Sequence, residues 1–353
     1  MIKILIHSII FILTIVVIFF IVFISPVAFK TANQTDVKNI SPSVDPSIIE
    51  LESISPATSK PENQTDVKNI SPSVDPSIIE LESKWPGLGM GLYNTQVDGY
   101  VDTLLANGFN DLRIDIPDYQ DTAWLTSSKA AVIRAIAKGA KVVWGVSSNS
   151  FNNPSYTITS SNWPAFRQAI LDNARWAQDN GVYEYQLGNE EEFHVDGKTM
   201  TVEQIIINLK SVAADAQSIF TRGKISYSCA HYFISSWISA GKGDIDILAS
   251  NIYMGYDNIK GDLWKTEIDA LVNSFGINGT YLTEFGLNAG GLTKYSTNEV
   301  RQAIGLKKML DYIEASGITR AFWYTLKNDT FGALKDDGTY RLLWKVLVAY
   351  NNR

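Results

Sequence analysis

The chain has 353 residues, of which 45% are hydrophobic and 19% are charged. This length suits one large domain with an appendage or two ordinary domains, and the composition excludes intrinsic disorder of the whole chain. The net charge of -7, from 37 acidic and 30 basic residues, argues against a nucleic-acid-binding protein, which normally carries a basic surface. The single cysteine, Cys229, excludes an intramolecular disulfide and a cysteine-based structural zinc site.

The first thirty residues predict a membrane anchor. Residues 4–24 are apolar and carry no formal charge, and about 20 such residues span a bilayer as an α-helix. This apolar run is longer than the roughly 7–15 residues of a cleavable signal peptide, and no clear small-x-small cleavage site follows it. We therefore expect residues 1–30 to be an uncleaved anchor, with a cleaved signal and secretion as the alternative. In both cases the remainder of the chain would lie outside the cytoplasm.

A tandem repeat follows the apolar segment. The peptide NQTDVKNISPSVDPSIIELES occurs at residues 33–53 and again, without a change, at residues 63–83. Two copies of a peptide rich in proline, serine and asparagine cannot bury a core, and the prolines interrupt any long helix. Residues 31–83 are therefore predicted to be a semi-extended stalk between the membrane and a folded domain.

Residues 84–353 predict an α/β fold, a (β/α)8 barrel of the TIM type. Their number is close to the roughly 250 residues typical of that fold, and short β-rich runs alternate with amphipathic helical stretches. The predicted strands are 88–93, 111–115, 141–147, 183–188, 224–229, 245–252, 281–285 and 320–324. The clearest helical patterns are 128–138, 165–179, 202–220, 263–275 and 297–315. Such an alternation favours parallel strands joined by right-handed crossovers, and eight units favour a closed barrel.

Polar and aromatic side chains collect at the predicted strand ends. A parallel barrel has its chemistry at the carboxyl ends of its strands, so these residues should meet at one face. In chain order they are Arg113, Asp115, Asn189, Glu190, His231, Asn251, Tyr253, Glu284 and Trp323. We call the open carboxyl end of the barrel its mouth. Glu190 and Glu284 follow the fourth and seventh strands and would face each other across this mouth, as hydrolysis of a glycosidic bond by two carboxylates requires.

Five motifs at these strand ends carry a resemblance to a known superfamily. They are DLRID at 111–115, YQLGNEEEF at 185–193, SNIYMG at 250–255, YLTEFGLN at 281–288 and AFWYT at 321–325. Together and in this order, they resemble the retaining glycoside hydrolases of the (β/α)8 superfamily called clan A, which includes families 5, 17 and 39. The resemblance covers residues 84–353.

The resemblance implies roles for the two carboxyl groups and their neighbours. Glu190 would be the general acid and base, and Glu284 the nucleophile. Tyr253 would hydrogen-bond the nucleophile, and Arg113 would support its ionised form. A retaining mechanism needs one protonated and one ionised carboxyl group about 5–5.5 Å apart, and a nearby arginine together with burial can separate their pKa values in that sense.

Further residues are implied to bind the sugar. Asn189 would bind its 2-hydroxyl group, Trp323 would form the floor of the -1 subsite, and His231 is a candidate subsite residue. Two positions depart from family 5, because Glu191 replaces a proline and Asn251 replaces a histidine. Asn-x-Tyr on the sixth strand and Gly-Asn-Glu on the fourth are similar to family 17, the β-1,3-glucanases, but that family's Gly-Trp-Pro after the nucleophile is missing. The family, and with it the substrate, stays open between these alternatives.

Several assignments have a plainer alternative. Residues 190–192 also fit a solvated acidic run at the start of a helix, where glutamate is favoured. Glu284 also fits a surface carboxylate, Tyr253 and Trp323 also fit aromatic residues of the core, and His231 also fits a loop histidine.

The sequence therefore predicts a membrane-anchored extracellular enzyme, a retaining β-glycosidase that cleaves a polysaccharide or oligosaccharide internally. The two-glutamate chemistry needs no metal and no organic cofactor, and no protein partner or nucleic acid is predicted. Two alternatives remain, a transglycosylase that uses the same carboxyl pair and a non-catalytic surface protein that binds glycans on a barrel scaffold.

Overall fold

The computed structural model describes residues 87–148, 157–254, 262–287, 295–328 and 330–352. The predicted anchor and the predicted stalk lie outside these residues, so both stay predictions. Among the described residues, no helix combines the length and the apolar character that crossing a membrane requires.

The described residues fold around a closed barrel of eight parallel strands in chain order, which confirms the predicted architecture. The first and last strands pair to close it, with Leu88 opposite Ala321. The strands are β1 Leu88–Leu92, β2 Asp111–Ile114, β3 Lys141–Gly145, β4 Glu184–Asn189, β5 Lys224–Ala230, β6 Ile247–Met254, β7 Leu282–Leu287 and β8 Ala321–Trp323. All eight predicted strands are present, with ends that differ by at most two residues.

One α-helix follows each strand. The helices are α1 Val97–Ala106, α2 Thr122–Ala137, α3 Trp163–Asp179, α4 Val202–Ile219, α5 Ile234–Ala240, α6 Leu263–Phe275, α7 Tyr295–Ala315 and α8 Leu342–Asn351. Helix α4 shows why these segments are helical. Its apolar residues, among them Ile205, Leu209 and Val212, recur at helical spacing and are fully buried, and Thr201 with Gln204 forms a capping box at its start.

The hydrophobic core lies between the strands and the helices. Inside the barrel, the close approach of neighbouring strands positions the polar residues. Gly145 on β3 is an example, because a Cβ atom at this position would lie 1.7 Å from the main-chain oxygen of Gln186 on β4. The missing side chain lets the two strands approach, and β4 carries Asn189 at its end with Glu190 directly after it. The packing of the strands thus sets the positions of the candidate site residues.

Candidate active site

A buried arginine connects three strands at the carboxyl end of the barrel. Arg113 on β2 is 5% exposed, and its Nη1 atom donates to Glu284 Oε1 on β7 at 2.7 Å. Its Nε atom donates to Gln186 Oε1 at 2.9 Å, and its Nη2 atom donates to Asn189 Oδ1 at 2.8 Å. The guanidinium group therefore fixes both the Glu284 carboxylate and the end of β4, as its planar set of donors allows.

The second oxygen of Glu284 also has a partner. The Tyr253 hydroxyl group on β6 donates a hydrogen bond to Glu284 Oε2. Burial and the negative charge of Glu284 raise the pKa of Tyr253 well above its ordinary value, so the phenol keeps its proton. Glu284 is thus held from two sides, and its side chain is 11% exposed, which contradicts the interpretation of a surface carboxylate.

Glu190 follows β4 and is joined to this group through asparagine side chains. Asn251 Nδ2 on β6 donates to Glu190 Oε1 at 3.0 Å and lies 3.2 Å from Asn189 Oδ1, which itself accepts from Arg113. The amide orientation is fixed because Asn251 Oδ1 accepts hydrogen bonds from the hydroxyl groups of two neighbouring strands. A continuous hydrogen-bonded chain therefore runs from Glu284 through the arginine and both asparagines to Glu190.

The electrostatic setting of Glu190 suits an acid. Burial, followed by the negative charge of Glu284, raises the pKa of Glu190 from 4.5 to about 7, although the hydrogen bond from Asn251 opposes the rise. Glu190 is therefore protonated below about pH 7, while the Glu284 carboxyl group is paired with the Arg113 cation. Two carboxyl groups in such different surroundings can divide the roles of acid and nucleophile.

The backbone at Glu190 adopts an uncommon conformation. Its φ of 58° and ψ of 35° lie in the left-handed region, where residues other than glycine are unfavourable by about 1–2 kcal/mol. The Glu190 N–H group donates to the Ser228 carbonyl oxygen at 2.8 Å, and the Phe193 N–H group donates to the Glu190 carbonyl oxygen at 3.1 Å. The conformation is therefore held by the surrounding structure and turns the side chain toward the barrel mouth.

The two glutamates that follow Glu190 are buried, so the interpretation of a solvated acidic run is wrong. Glu191 accepts hydrogen bonds from Ser147 Oγ at 2.7 Å and from the Asn189 N–H group at 3.1 Å. Glu192 accepts from Trp237 Nε1 at 2.5 Å. Burial raises the pKa of each of these two carboxyl groups to about 7. Both side chains anchor the turn that presents Glu190.

The aromatic residue at the end of β8 differs from the prediction. Trp323 is fully buried, packs against Phe285 with ring centroids 5.4 Å apart, and donates to the Phe331 carbonyl oxygen at 3.2 Å. It has no exposed face for a sugar, so the assignment as the subsite floor does not fit, and its role is that of a core aromatic. The next residue, Tyr324, faces Tyr253 at 5.8 Å between ring centroids and is the aromatic residue beside Glu284.

His231 lies apart from the hydrogen-bonded chain. It follows β5, its Nδ1 atom is 2.8 Å from Glu267 Oε1 on α6, and its ring lies against the Tyr232 ring with centroids 3.9 Å apart and planes tilted by 40°. The structure therefore brings together Arg113, Asn189, Glu190, Tyr253 and Glu284, whereas His231 belongs to the rim of the mouth and Trp323 to the core.

Two members of the site, Gln186 and Tyr324, were not among the predicted site residues. Gln186 binds the arginine, and Tyr324 shares a hydrogen bond of 3.1 Å with the Tyr93 hydroxyl group. A signal for Gln186 was available, because a polar residue alternates there with apolar ones in a buried strand, where it needs a partner. Tyr324 differs from the predicted Trp323 by one position, which is the usual uncertainty of a strand end.

Two further observations concern other kinds of site. Within the described residues, no three histidine, cysteine, aspartate or glutamate side chains are grouped so as to hold a metal ion. A cavity of about 400 Å³ opens at the amino end of the barrel, lined by Asp111, Glu184 and Arg320 among others. It lies at the end of the barrel that does not carry Glu190 and Glu284.

Comparisons with known proteins establish the fold. No protein-family model and no curated protein matches the chain. Among solved structures, the chain is similar to the exo-β-1,4-mannosidase Op5Man5 from Opitutaceae bacterium strain TAV5, with 14% identity and a TM-score of 0.58. That match covers 75% of this chain and 59% of the mannosidase, so this chain spans less than two thirds of that protein's length.

Two shorter proteins are matched over nearly their whole length. A GH113 β-1,4-mannanase is 13% identical with a TM-score of 0.57, and the match covers 76% of this chain and 99% of the mannanase. The catalytic core of xylanase A is 12% identical with a TM-score of 0.57, over 75% of this chain and 97% of that core. The predicted resemblance to clan A glycoside hydrolases is thus confirmed at the level of the (β/α)8 fold.

Proposed function

We propose that this protein is a retaining β-glycosidase that cleaves a polysaccharide internally. The observation that carries the proposal is the hydrogen-bonded chain at the barrel mouth, in which Arg113 and Tyr253 hold the carboxyl group of Glu284 and Asn251 holds that of Glu190. The raised pKa of Glu190 supports its role as the acid. These are the groups that two-carboxylate glycoside hydrolysis requires.

In the first step, Glu284 attacks the anomeric carbon of the sugar. A bond forms between one carboxylate oxygen of Glu284 and that carbon, and the bond from the carbon to the glycosidic oxygen breaks. The proton of the Glu190 carboxyl group passes to the departing oxygen, so the leaving sugar departs as an alcohol and Glu190 becomes a carboxylate. Arg113 and Tyr253 keep the attacking carboxylate in one orientation during this step.

In the second step, water hydrolyses the ester bond between the sugar and Glu284. The ionised Glu190 accepts a proton from a water molecule, whose oxygen bonds to the anomeric carbon as the ester bond to Glu284 breaks. Both glutamates return to their starting protonation states, and the product keeps the configuration of the substrate. If a sugar hydroxyl group replaces water, the same residues carry out transglycosylation.

The test is the release of reducing ends by the full-length protein from β-1,3-glucan, β-1,4-glucan, mannan, xylan and galactan, with Glu284→Gln as the control. We expect activity on one polymer and a loss of at least about 10³-fold in the variant, because the nucleophile is gone. Proton NMR of the first product should show the retained anomeric configuration. Inversion, or equal activity of both proteins, would contradict the mechanism, and glycan binding without cleavage would favour the non-catalytic alternative.

We also propose that the barrel acts outside the cytoplasm, attached through residues 1–30. This proposal is based on the apolar run at residues 4–24 and the proline-rich repeat that follows it. Membranes from expressing cells should retain the protein after alkaline carbonate washing, and protease added to the outer face should degrade the barrel. Release by the wash, or full protection from the protease, would contradict the anchor or its orientation.

A further inference from the structure

The carboxyl ends of β4 and β5 carry aromatic side chains that the two-glutamate chemistry does not use. Phe193 is 49% exposed and Tyr232 is 71% exposed. Their ring centroids are 5.9 Å apart at an angle of 71°, and Phe193 also contacts Phe233 at 5.2 Å. We call Phe193, His231, Tyr232 and Phe233 the aromatic rim.

Neighbouring residues hold the exposed rings in place. Phe193 belongs to the 3-10 turn Glu191–His194, whose first two carboxyl groups are buried. The Tyr232 ring packs against the His231 ring at a tilt of 40°, and His231 in turn hydrogen-bonds Glu267 on α6. An apolar surface that is exposed and yet fixed is typical of a binding site, because little side-chain entropy is lost when a ligand covers it.

The aromatic rim adjoins the acid and not the nucleophile. Phe193 follows Glu190 by three residues, and its N–H group donates to the Glu190 carbonyl oxygen at 3.1 Å. Glu284 is instead enclosed by Arg113 and Tyr253. In an in-line displacement the leaving group departs opposite the nucleophile, toward the residue that gives it a proton. The sugar attached to the departing oxygen therefore extends past Glu190 onto the aromatic rim.

From this geometry we infer that the aromatic rim is the leaving-group subsite, where Phe193 and Tyr232 stack against the sugars on the reducing-end side of the cleaved bond. The inference rests on the proposed glycosidase function. A pyranose ring has a face of C–H groups that is apolar, and an aromatic ring of the same width covers it and excludes water. The four residues of the rim present aromatic faces, and the one among them that can carry a positive charge, His231, is bound to Glu267, which fits neutral sugars.

The subsite also determines how the substrate is cut. Sugars bound on the rim add contacts beyond the cleaved bond, and those contacts favour an oligosaccharide that occupies both sides of Glu190. This is the arrangement that internal cleavage of a polymer needs. It also offers a binding place for a sugar acceptor, so the rim would set the ratio of transglycosylation to hydrolysis.

The experiment compares two substrates of the sugar that the polymer assay identifies. One is an oligosaccharide long enough to reach the rim, and the other is an oligosaccharyl fluoride, whose leaving group is a single atom that cannot reach it. The full-length variants are Phe193→Ala and Tyr232→Ala. Tyr183→Ala is the matched control, since Tyr183 is 47% exposed but lies at the amino end of β4.

We expect each rim variant to lower kcat/KM for the oligosaccharide about tenfold and to leave kcat/KM for the fluoride within about twofold of the wild type. The cleavage pattern of an end-labelled oligosaccharide should shift toward its reducing end, because the substrate slides to fill the remaining subsites. The control variant should change neither value.

Three outcomes would overturn the inference. Equal losses on both substrates would mean that the rim only positions Glu190, and unchanged kinetics on both would mean that no sugar binds there. A wild-type protein that is inactive on both substrates would refute the proposed function, and the subsite with it. Either of the first two outcomes, obtained with a wild type that cleaves the fluoride, would refute the subsite alone.

Discussion

Each end of the barrel holds a buried arginine–glutamate pair, and the two pairs have different surroundings. At the carboxyl end Arg113 binds Glu284, and at the amino end Arg320 binds Glu184. The side chains of Glu184 and Arg320 are 1% and 13% exposed, about as buried as the pair at the mouth. Burial and ion pairing alone therefore do not distinguish an active site from a structural one.

The difference lies in what surrounds each glutamate. Glu184 also accepts a hydrogen bond from the Tyr281 hydroxyl group at 2.5 Å, and the Arg320 guanidinium group lies over the Tyr281 ring at 4.1 Å. This pair lies at the amino end of the barrel, where both side chains line the cavity. At the mouth, the arginine–glutamate pair is accompanied by Glu190, a second carboxyl group with a raised pKa, and by exposed aromatic rings. The comparison predicts that one pair supports catalysis and the other stability.

Loss of Glu190, the proposed acid, should give the largest effect. We expect Glu190→Gln to lower kcat/KM on the polysaccharide by about 10²–10⁴-fold, because the departing oxygen no longer receives a proton. The free energy of unfolding should change little. Glu203→Gln, which removes an exposed carboxyl group on α4, is the control. Full activity of the Glu190 variant would transfer the acid role to another residue.

At the amino end, removal of the Glu184 carboxyl group should lower the stability of the fold. Glu184→Ala leaves the Arg320 cation buried without its main partner, and this should lower the free energy of unfolding by about 3–5 kcal/mol. Urea unfolding followed by tryptophan fluorescence measures the change. The kcat of the remaining folded protein should equal that of the wild type, and a large fall in kcat would contradict the division of roles.

A smaller effect at the mouth would come from the hydroxyl group that holds the nucleophile. We expect Tyr253→Phe to lower kcat by about 10–100-fold, since a hydrogen bond to a charged group contributes about 1.5–3 kcal/mol. Tyr324→Phe, which removes the neighbouring hydroxyl group, should have the weaker effect because that group bonds to Tyr93. The opposite ranking in steady-state assays would show that Tyr324 is the group that supports Glu284.

The pH dependence of kcat/KM should further distinguish the carboxyl end of the barrel from the amino end. The pKa of Glu190 is raised to about 7, so the acid is protonated below that pH and ionised above it. We therefore expect kcat/KM to fall about tenfold per pH unit above pH 7. The decline should be absent from the Glu190→Gln variant and present in Glu184→Ala. An alkaline limb that persists without Glu190 would assign it to a different group.

Much of the barrel could be predicted from the sequence, since its strands are short runs between amphipathic helices. The two glutamates were predictable for the same reason, because each follows a strand in a fold that has its chemistry at strand ends. Chain order thus specified which residues share the mouth. It did not specify which of them touch, as the links from Arg113 to Gln186 and from Asn251 to Glu190 show.

The sequence left two features of the site open, for physical reasons. Glu191 and Glu192 look like a solvated run because glutamate is rarely buried, and only the tertiary structure provides the serine hydroxyl groups and the indole N–H group that bind them. Trp323 and Tyr324 are adjacent aromatic residues, and a shift of one position in a strand exchanges the inner and outer faces. Sequence alone could not determine which of the two faces the mouth.

The most direct test of the account is to trap the covalent intermediate. In Glu190→Gln an oligosaccharyl fluoride needs no acid to react, and the missing base slows hydrolysis of the ester, so the glycosyl-enzyme should accumulate. Proteolysis and mass spectrometry would then locate the attached sugar. We predict a single modified peptide with the sugar on Glu284. A sugar on another residue, or no adduct together with an inverted product, would contradict the assignment of the nucleophile.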